Sequence, residues 1–138
     1  WDGRFRATVI ENGPHLLTCM RYIEQNPQRL IPPTPAGDYA WSSAMHHLGR
    51  RRDTLVSTHL CHWQLGNTPF ERELAWQRLL DEPLTPEEVQ QHTDSATKGW
   101  ALGSGAFLAK LGASCERPMA PRPRGRPARS TKVDPVCP

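Results

Sequence analysis

The sequence lacks closely spaced pairs of cysteines. Four cysteines, Cys19, Cys61, Cys115 and Cys137, are scattered along 138 residues without a C-x-x-C pair. Small disulfide-stabilised domains and zinc ribbons both need regular cysteine spacing, so the sequence indicates neither class. We interpret all four cysteines as free thiols.

Long apolar runs are also missing. No stretch approaches the ~20 apolar residues of a membrane-spanning helix, and no basic segment followed by an apolar one opens the chain. We therefore expect a cytoplasmic protein without a membrane partner. The chain begins at Trp1 rather than at methionine, in what looks like the approach to a strand, so we expect an amino-terminal truncation.

Aromatic residues are few, at 7%, and include two tyrosines, Tyr22 and Tyr39. Tyr22 lies in the segment PHLLTCMRYIEQNP, which predicts a short helix. Proline suits the first helical position, and Asn26 ends the helix because a residue before proline is pushed out of the helical region. Tyr22 and Asn26 are then one helical turn apart on one face.

This face has two interpretations from local chemistry. A tyrosine on a helix flank is commonly a packing residue, and asparagine before proline is commonly a helix terminator. The alternative is a catalytic pair. The helix also places Leu16, Met20 and Ile23 at helical spacing, and we expect those three to face a core.

Residues 4–11 alternate in the manner of a β-strand, with Phe5, Ala7 and Val9 on one face. An isolated strand leaves its backbone groups unpaired. We therefore expect its partners in a missing amino-terminal part or in another chain.

Further helices are predicted over residues 68–82, with Phe70 and Leu74 among the buried positions, and from Thr85, which opens a capping box. A last helix is expected over residues 104–111. Together with the helix that begins at Thr85, it fits either a helix-turn-helix or an ordinary helical hairpin. Prolines make residues 29–38 a loop, and Trp41 after it is expected to pack into the core.

Basic residues form two groups. Arg50, Arg51 and Arg52 are either a solvated loop or a set of phosphate contacts. The net charge of +3 resides in the tail, residues 117–138, which is rich in proline and arginine and predicted to be disordered. Its Arg122, Arg124 and Arg126, in PRPRGRP, resemble an AT-hook that would lie in a DNA minor groove.

Taken together, RFRATVIENGPHLLTCMRYIEQNP and the following DYAWSS resemble the second half of single-tyrosine HUH transposases, in particular the bacterial branch associated with repetitive extragenic palindromes. The motifs that carry the resemblance are Y-I-x-x-N-P and W-S-S. GWALGSGAF and APRPRGRP also resemble the carboxyl-terminal extension of longer members.

The resemblance implies a fold and a chemistry. The fold class is α+β, mostly α in this fragment: the last strand and the catalytic helix of a ferredoxin-like HUH domain (1–48), a helical extension (49–116) and the basic tail (117–138). Tyr22 would attack single-stranded or hairpin DNA and form a 5′-phosphotyrosine. Asn26 would help to bind a divalent metal, Mg²⁺ or Mn²⁺, and the protein would be bacterial.

The sequence departs from the family in one respect. The His-hydrophobic-His motif that supplies the two principal metal ligands does not occur in this chain. We therefore expect no nicking activity from the chain alone. Two alternatives stay open: a non-catalytic DNA-binding module, and a decayed transposase remnant.

Overall fold

The computed structural model of this chain describes residues 7–115. Its regular structure consists of α-helices and two 3₁₀ turns. The α-helices are α1 (Pro14–Glu24), α2 (Ala44–His47), α3 (Leu60–Trp63), α4 (Pro69–Asp81), α5 (Pro86–Lys98) and α6 (Gly105–Ser114). The 3₁₀ turns are Asn26–Arg29 and Ala36–Asp38.

The expected α+β, ferredoxin-like fold class is wrong, because residues 7–115 are helical and contain no β-strand. Residues 7–11 are extended, but their ladder is a single parallel bridge between Ile10 and Leu102. Leu102 donates to the Val9 carbonyl at 2.9 Å, and Glu11 donates to the Leu102 carbonyl at 2.7 Å.

The β-strand predicted from the alternating pattern is therefore wrong: the described part of this segment forms only an isolated bridge. Val9 is 51% exposed, so this segment presents no apolar face that a sheet would bury. The partner comes from the connection between α5 and α6 rather than from another strand. Residues 4–6 of the predicted strand lie outside the described residues.

Helix α1 forms where the sequence predicts it. Gly13 precedes it with φ 95°, a conformation that glycine adopts without steric cost, and Pro14 occupies the first turn. The helix ends at Glu24, and the chain tightens into the 3₁₀ turn that contains Asn26 and Pro27. The predicted start and end of this helix are confirmed.

The threonine caps of α4 and α5 also form as predicted. Thr68 accepts from the Glu71 backbone and Thr85 from the Glu88 backbone, and each glutamate reaches back to its threonine. Each capping box satisfies two backbone donors that the first turn of a helix leaves unpaired. The starts of these two helices are therefore local properties of the sequence.

A small apolar core lies between α1, α2 and α4. It is centred on Trp76 of α4, which has no exposed surface. Around it lie the buried residues Ala36, Ala44, Leu48 and Leu80, with Leu17, Met20, Leu65 and Leu79 packed against them. α1 also packs against α3 and α5, so residues on both sides of position 48 share this core.

A buried carboxylate stands at the edge of this core. Glu24, 1% exposed, accepts from the Trp76 indole Nε1 at 2.8 Å and from the Ser43 hydroxyl at 2.5 Å. His47 Nδ1 lies 2.6 Å from the same carboxylate. A buried charge is tolerated when every lone pair finds a donor, and here three donors converge. Glu24 thereby joins α1 to α2 and α4.

Two more buried residues at this end of α1, Arg21 and the cap residue Gln25, are also polar. Arg21 donates to the Glu82 carbonyl at 2.8 Å, and Gln25 donates to the carbonyls of Leu80 and Glu82, both at 2.9 Å. These are carbonyls at the carboxyl-terminal end of α4, which the helix itself leaves without donors. Side chains of α1 thus cap α4.

Several residues that the sequence predicts to be in the core are exposed instead. The polar residues of α1 occupy the buried side, so Ile23 is turned outward and is 55% exposed. Phe70 and Leu74 of α4 are 72% and 41% exposed, and Trp41 is 87% exposed. Met20 packs on the core as expected.

Removing the Glu24 carboxylate tests how much the fold depends on it. Glu24→Ala leaves the Trp76 indole, the His47 ring and the Ser43 hydroxyl without their acceptor. We expect the free energy of unfolding to fall by about 3 kcal/mol or more, measured by urea denaturation. Glu87→Ala, an exposed glutamate in the first turn of α5, is the control and should cost about 1 kcal/mol at most. Equal losses would contradict the dependence.

Candidate functional site

Tyr22 lies in the last turn of α1, half-buried, with two ring contacts. Its ring stacks on the His92 imidazole of α5, with centroids 5.1 Å apart and planes inclined by 24°. The Arg29 guanidinium carbon lies 4.9 Å from the centroid of the same ring. The tyrosine is therefore fixed in place by an imidazole and a cation.

The hydroxyl of Tyr22 is a hydrogen-bond donor to Thr93. It lies 3.0 Å from the Thr93 hydroxyl, which in turn donates to the Val89 carbonyl at 2.8 Å. A threonine hydroxyl has one proton to give. Because that proton is used on Val89, Tyr22 is the donor to Thr93, and its oxygen accepts no hydrogen bond from residues 7–115.

Burial governs the protonation of His92. Burial lowers the pKa of His92 below its ordinary value, while the nearby Glu88 carboxylate opposes this to a lesser extent. The ring is therefore neutral at pH 7. A neutral ring stacked face to face on Tyr22 supports the tyrosine by packing, and its geometry is not that of a hydrogen-bonded base.

Asn26 is exposed and lies at the start of the first 3₁₀ turn. Its Oδ1 accepts a hydrogen bond from Arg29 Nη1. Arg29 therefore contacts both residues of the predicted pair, the ring of Tyr22 and the amide of Asn26. Sequence analysis missed Arg29, although it stands three positions after Asn26, within reach on a continuing helical turn.

This contact bears on the metal expected at Asn26. An oxygen that accepts from a guanidinium is poorly suited to a divalent ion, because the two cations repel each other at that distance. Within residues 7–115, histidine, cysteine, aspartate and glutamate side chains form no group of three or more that could hold a metal ion. The side chains around Asn26 therefore do not fit a metal site in this arrangement.

Arg50 has a structural role. Its guanidinium donates to the Gly37 carbonyl at 3.4 Å and to Gln77 Oε1 at 3.0 Å, and it lies 3.7 Å from the Asp38 carboxylate. These contacts tie the second 3₁₀ turn to α4. The Arg50 guanidinium is therefore engaged within the protein rather than available to a ligand.

Arg51 and Arg52 border an open cleft of about 580 Å³. Arg51 donates to the Ala40 carbonyl at 3.2 Å and to Asp53 Oδ2 at 3.3 Å. Arg52 is exposed and has no hydrogen bond or ion pair to any residue between 7 and 115. Trp41 also lines this cleft. The remaining predicted nucleic-acid contacts, Arg122, Arg124 and Arg126, lie outside the described residues.

Two histidines lie next to the buried Glu24. His62 is 5% exposed, neither of its ring nitrogens makes a well-formed hydrogen bond, and its ring lies 4.8 Å from that of His47 and 5.4 Å from that of Trp76. Burial, and then the neighbouring His47, lower the pKa of His62 to about 4. His62 is therefore a neutral core residue at pH 7.

The thiols agree with the sequence analysis where they are described. Cys19, Cys61 and Cys115 are free, and Cys137 lies outside the described residues. Burial raises the pKa of the Cys19 thiol, which makes it a poor nucleophile. Among the helices of residues 7–115, none is long and apolar enough to cross a membrane.

Comparison with known proteins finds no protein similar to this chain. No protein-family model matches the chain, and neither a curated protein nor a solved structure is similar to it. The candidate sites are therefore argued from their own geometry.

The hydrogen bond from the Tyr22 hydroxyl to Thr93 should contribute little to the free energy of unfolding. Tyr22→Phe removes one hydrogen bond to Thr93 and keeps the ring contacts with His92 and Arg29. We expect the free energy of unfolding to fall by about 1 kcal/mol, as measured by urea denaturation. A loss above about 3 kcal/mol would mean that the hydroxyl is a structural element and would contradict the half-exposed site described here.

The low pKa of His62 predicts a pH dependence of stability. Between the ordinary pKa of 6.5 and the folded value of about 4, the unfolded chain binds a proton that the folded chain does not. Stability should therefore fall as the pH is lowered through this window, by roughly 3 kcal/mol at most. Thermal melts from pH 7 to pH 4 measure it. His62→Leu should reduce this slope without abolishing it, because the pKa of His92 is also lowered. An unchanged slope would contradict the assignment.

Proposed function

We propose that this chain is the carboxyl-terminal part of a single-tyrosine DNA transposase, which cuts and rejoins single-stranded DNA with Tyr22 as its nucleophile. The observation that carries the proposal is the position of Arg29, whose guanidinium contacts the Tyr22 ring and the Asn26 amide. A guanidinium is the side chain best suited to bind a phosphate, because its donors match the phosphate oxygens in pairs. It lies over the ring of the tyrosine whose hydroxyl would attack.

The proposed reaction has one bond formed and one bond broken. The Tyr22 oxygen forms a bond to phosphorus, and the bond from phosphorus to the 3′ oxygen breaks. The DNA 5′ end is then esterified to tyrosine, and the 3′ oxygen leaves as a hydroxyl after it takes up a proton. Tyr22 gives up its proton to water, water supplies the proton that the 3′ oxygen takes up, and a lone pair on the Tyr22 oxygen makes the attack.

Arg29 would act on the charge of the phosphate. Placed at the ring face, its cation would offset the negative charge of the phosphodiester and hold it near the tyrosine. To do so, the guanidinium would exchange its bond with Asn26 for bonds to phosphate oxygens. Thr93 would keep the phenol oriented on the other side.

A second candidate function is DNA binding without cleavage. It is favoured by Asn26, whose oxygen is engaged by Arg29 and does not fit a divalent ion. In this case the exposed arginines would contact phosphates and Tyr22 would be a packing residue. A decayed transposase remnant would show neither cleavage nor selective binding.

A covalent-adduct assay tests the first candidate. The chain is incubated with end-labelled single-stranded hairpin DNA and Mn²⁺, alone and with a His-hydrophobic-His segment placed ahead of residue 1. The chain with the added segment should form a DNA adduct that survives denaturing electrophoresis, and the chain alone should not. Tyr22→Phe should abolish the adduct, while Tyr39→Phe, which changes the other tyrosine, should leave it intact.

Arg29→Ala should slow adduct formation by about 10²-fold, the usual effect of removing one donor from a developing charge. An adduct that persists in Tyr22→Phe would contradict the proposed nucleophile. If neither form of the chain gives an adduct but both bind the hairpin DNA, the non-catalytic DNA-binding function is the better one.

A further inference from the structure

The exposure of Trp41 is the most unusual surface feature of the described chain. An indole is among the largest apolar groups a protein can bury, yet this one is 87% exposed. It lines a cleft of about 580 Å³, within the ~300–1,000 Å³ that is typical of ligand sites. Leu55, 92% exposed, lines the same cleft and adds apolar surface.

The two walls of this cleft are fastened to each other. Arg51 reaches from the second wall to the carbonyl of Ala40, the residue before Trp41. Its partner Asp53 is held in turn, since the Asp53 backbone donates to His46 Nδ1 at 3.1 Å and its carboxylate accepts from the Leu55 backbone at 3.0 Å. The cleft is therefore pre-organised, which lowers the entropic cost of binding.

The charge of the cleft is positive where a ligand would meet it. The Asp53 carboxylate is engaged by Arg51 and by the Leu55 backbone. The Arg52 guanidinium has no partner in the part of the chain that the structure describes and is exposed to solvent. An exposed cation and an exposed indole that line the same cleft match a ligand with an aromatic face and an adjacent negative charge.

We infer that the cleft between Trp41 and Arg52 binds one nucleotide of single-stranded DNA, with the base stacked on the Trp41 indole and the adjoining phosphate on the Arg52 guanidinium. The inference deepens the proposed function and rests on its choice of DNA as the substrate. Bases in a duplex stack on one another and present only their edges, so an indole face selects an unpaired base. Arg51 shapes the site and does not need to contact the DNA.

Binding of a fluorescein-labelled oligothymidylate to the full chain, followed by anisotropy, tests this site. Stacking on an aromatic residue contributes enough per base that Trp41→Ala should weaken binding about 5- to 100-fold. Phe70→Ala is the matched control, because Phe70 is also a largely exposed aromatic residue, at 72%, but is not part of the cleft. It should bind as the unaltered chain does.

The salt dependence tests the phosphate contact separately. For single strands, each neutralised phosphate contributes about 0.7 to the slope of log affinity against log salt. Arg52→Ala should lower that slope by about this amount, whereas Arg78→Ala, an exposed arginine on α4, should not. Base stacking also quenches indole emission, so the fluorescence quench caused by oligothymidylate should shrink in Trp41→Phe.

Three outcomes would overturn the inference: no binding of oligothymidylate, unchanged affinity and quench in the Trp41 variants, or equal dependence on Trp41 for a duplex of the same length. The last would assign the cleft to duplex DNA. Failure of the proposed function is a separate result. If Tyr22→Phe leaves adduct formation unchanged while Trp41→Ala weakens binding, the nucleotide site is supported and the transposase reaction is not. If Tyr22→Phe abolishes the adduct while Trp41→Ala leaves binding unchanged, the reaction is supported and the nucleotide site is not.

Discussion

The hydrogen bonds to the Glu24 carboxylate determine how α1 lies in this chain. A carboxylate with 1% exposure is stable only while its donors stay in place, and these come from Ser43, His47 and Trp76. At about 100° per residue, position 22 lies about 160° around the helix from position 24. Burying Glu24 therefore turns Tyr22 away from the apolar core, and the tyrosine stays partly exposed.

The polar face of α1 also explains the unusual distribution of apolar residues. Arg21 and Gln25 satisfy carbonyls at the end of α4, so the interface between these helices is held by hydrogen bonds as much as by apolar contact. Ile23 is left outside as a result. The single bridge at Ile10 follows the same pattern, since it fixes the chain before α1 by backbone bonds without burying Val9.

The sequence predicts those features that depend on neighbouring residues. Thr85 with Pro86 and Glu88 specifies a helix start by itself, and the proline after Asn26 specifies where α1 ends. The rotation of α1 was not predictable, because it depends on a hydrogen bond that the Trp76 indole, more than fifty positions away, donates to the Glu24 carboxylate. Arg29 was missed for a similar reason: its contact with Tyr22 forms only once the chain tightens into a 3₁₀ turn. The strand expected over residues 4–11 is not formed within the described residues, because alternation carries no information about whether a pairing partner is present.

The two adjacent histidines of α2 connect the buried carboxylate with the cleft. His47 points to Glu24, while His46 accepts from the Asp53 backbone and bonds to Thr58 at 3.2 Å. The position of α2 is thus set by the core on one side and sets the loop that carries Arg51 and Arg52 on the other. The three consecutive arginines therefore differ. Arg50 ties the second 3₁₀ turn to α4, Arg51 joins the two segments that line the cleft, and Arg52 makes no ion pair within residues 7–115. A loop fastened in this way can keep the Trp41 indole and the Arg52 guanidinium in one cleft without burying either.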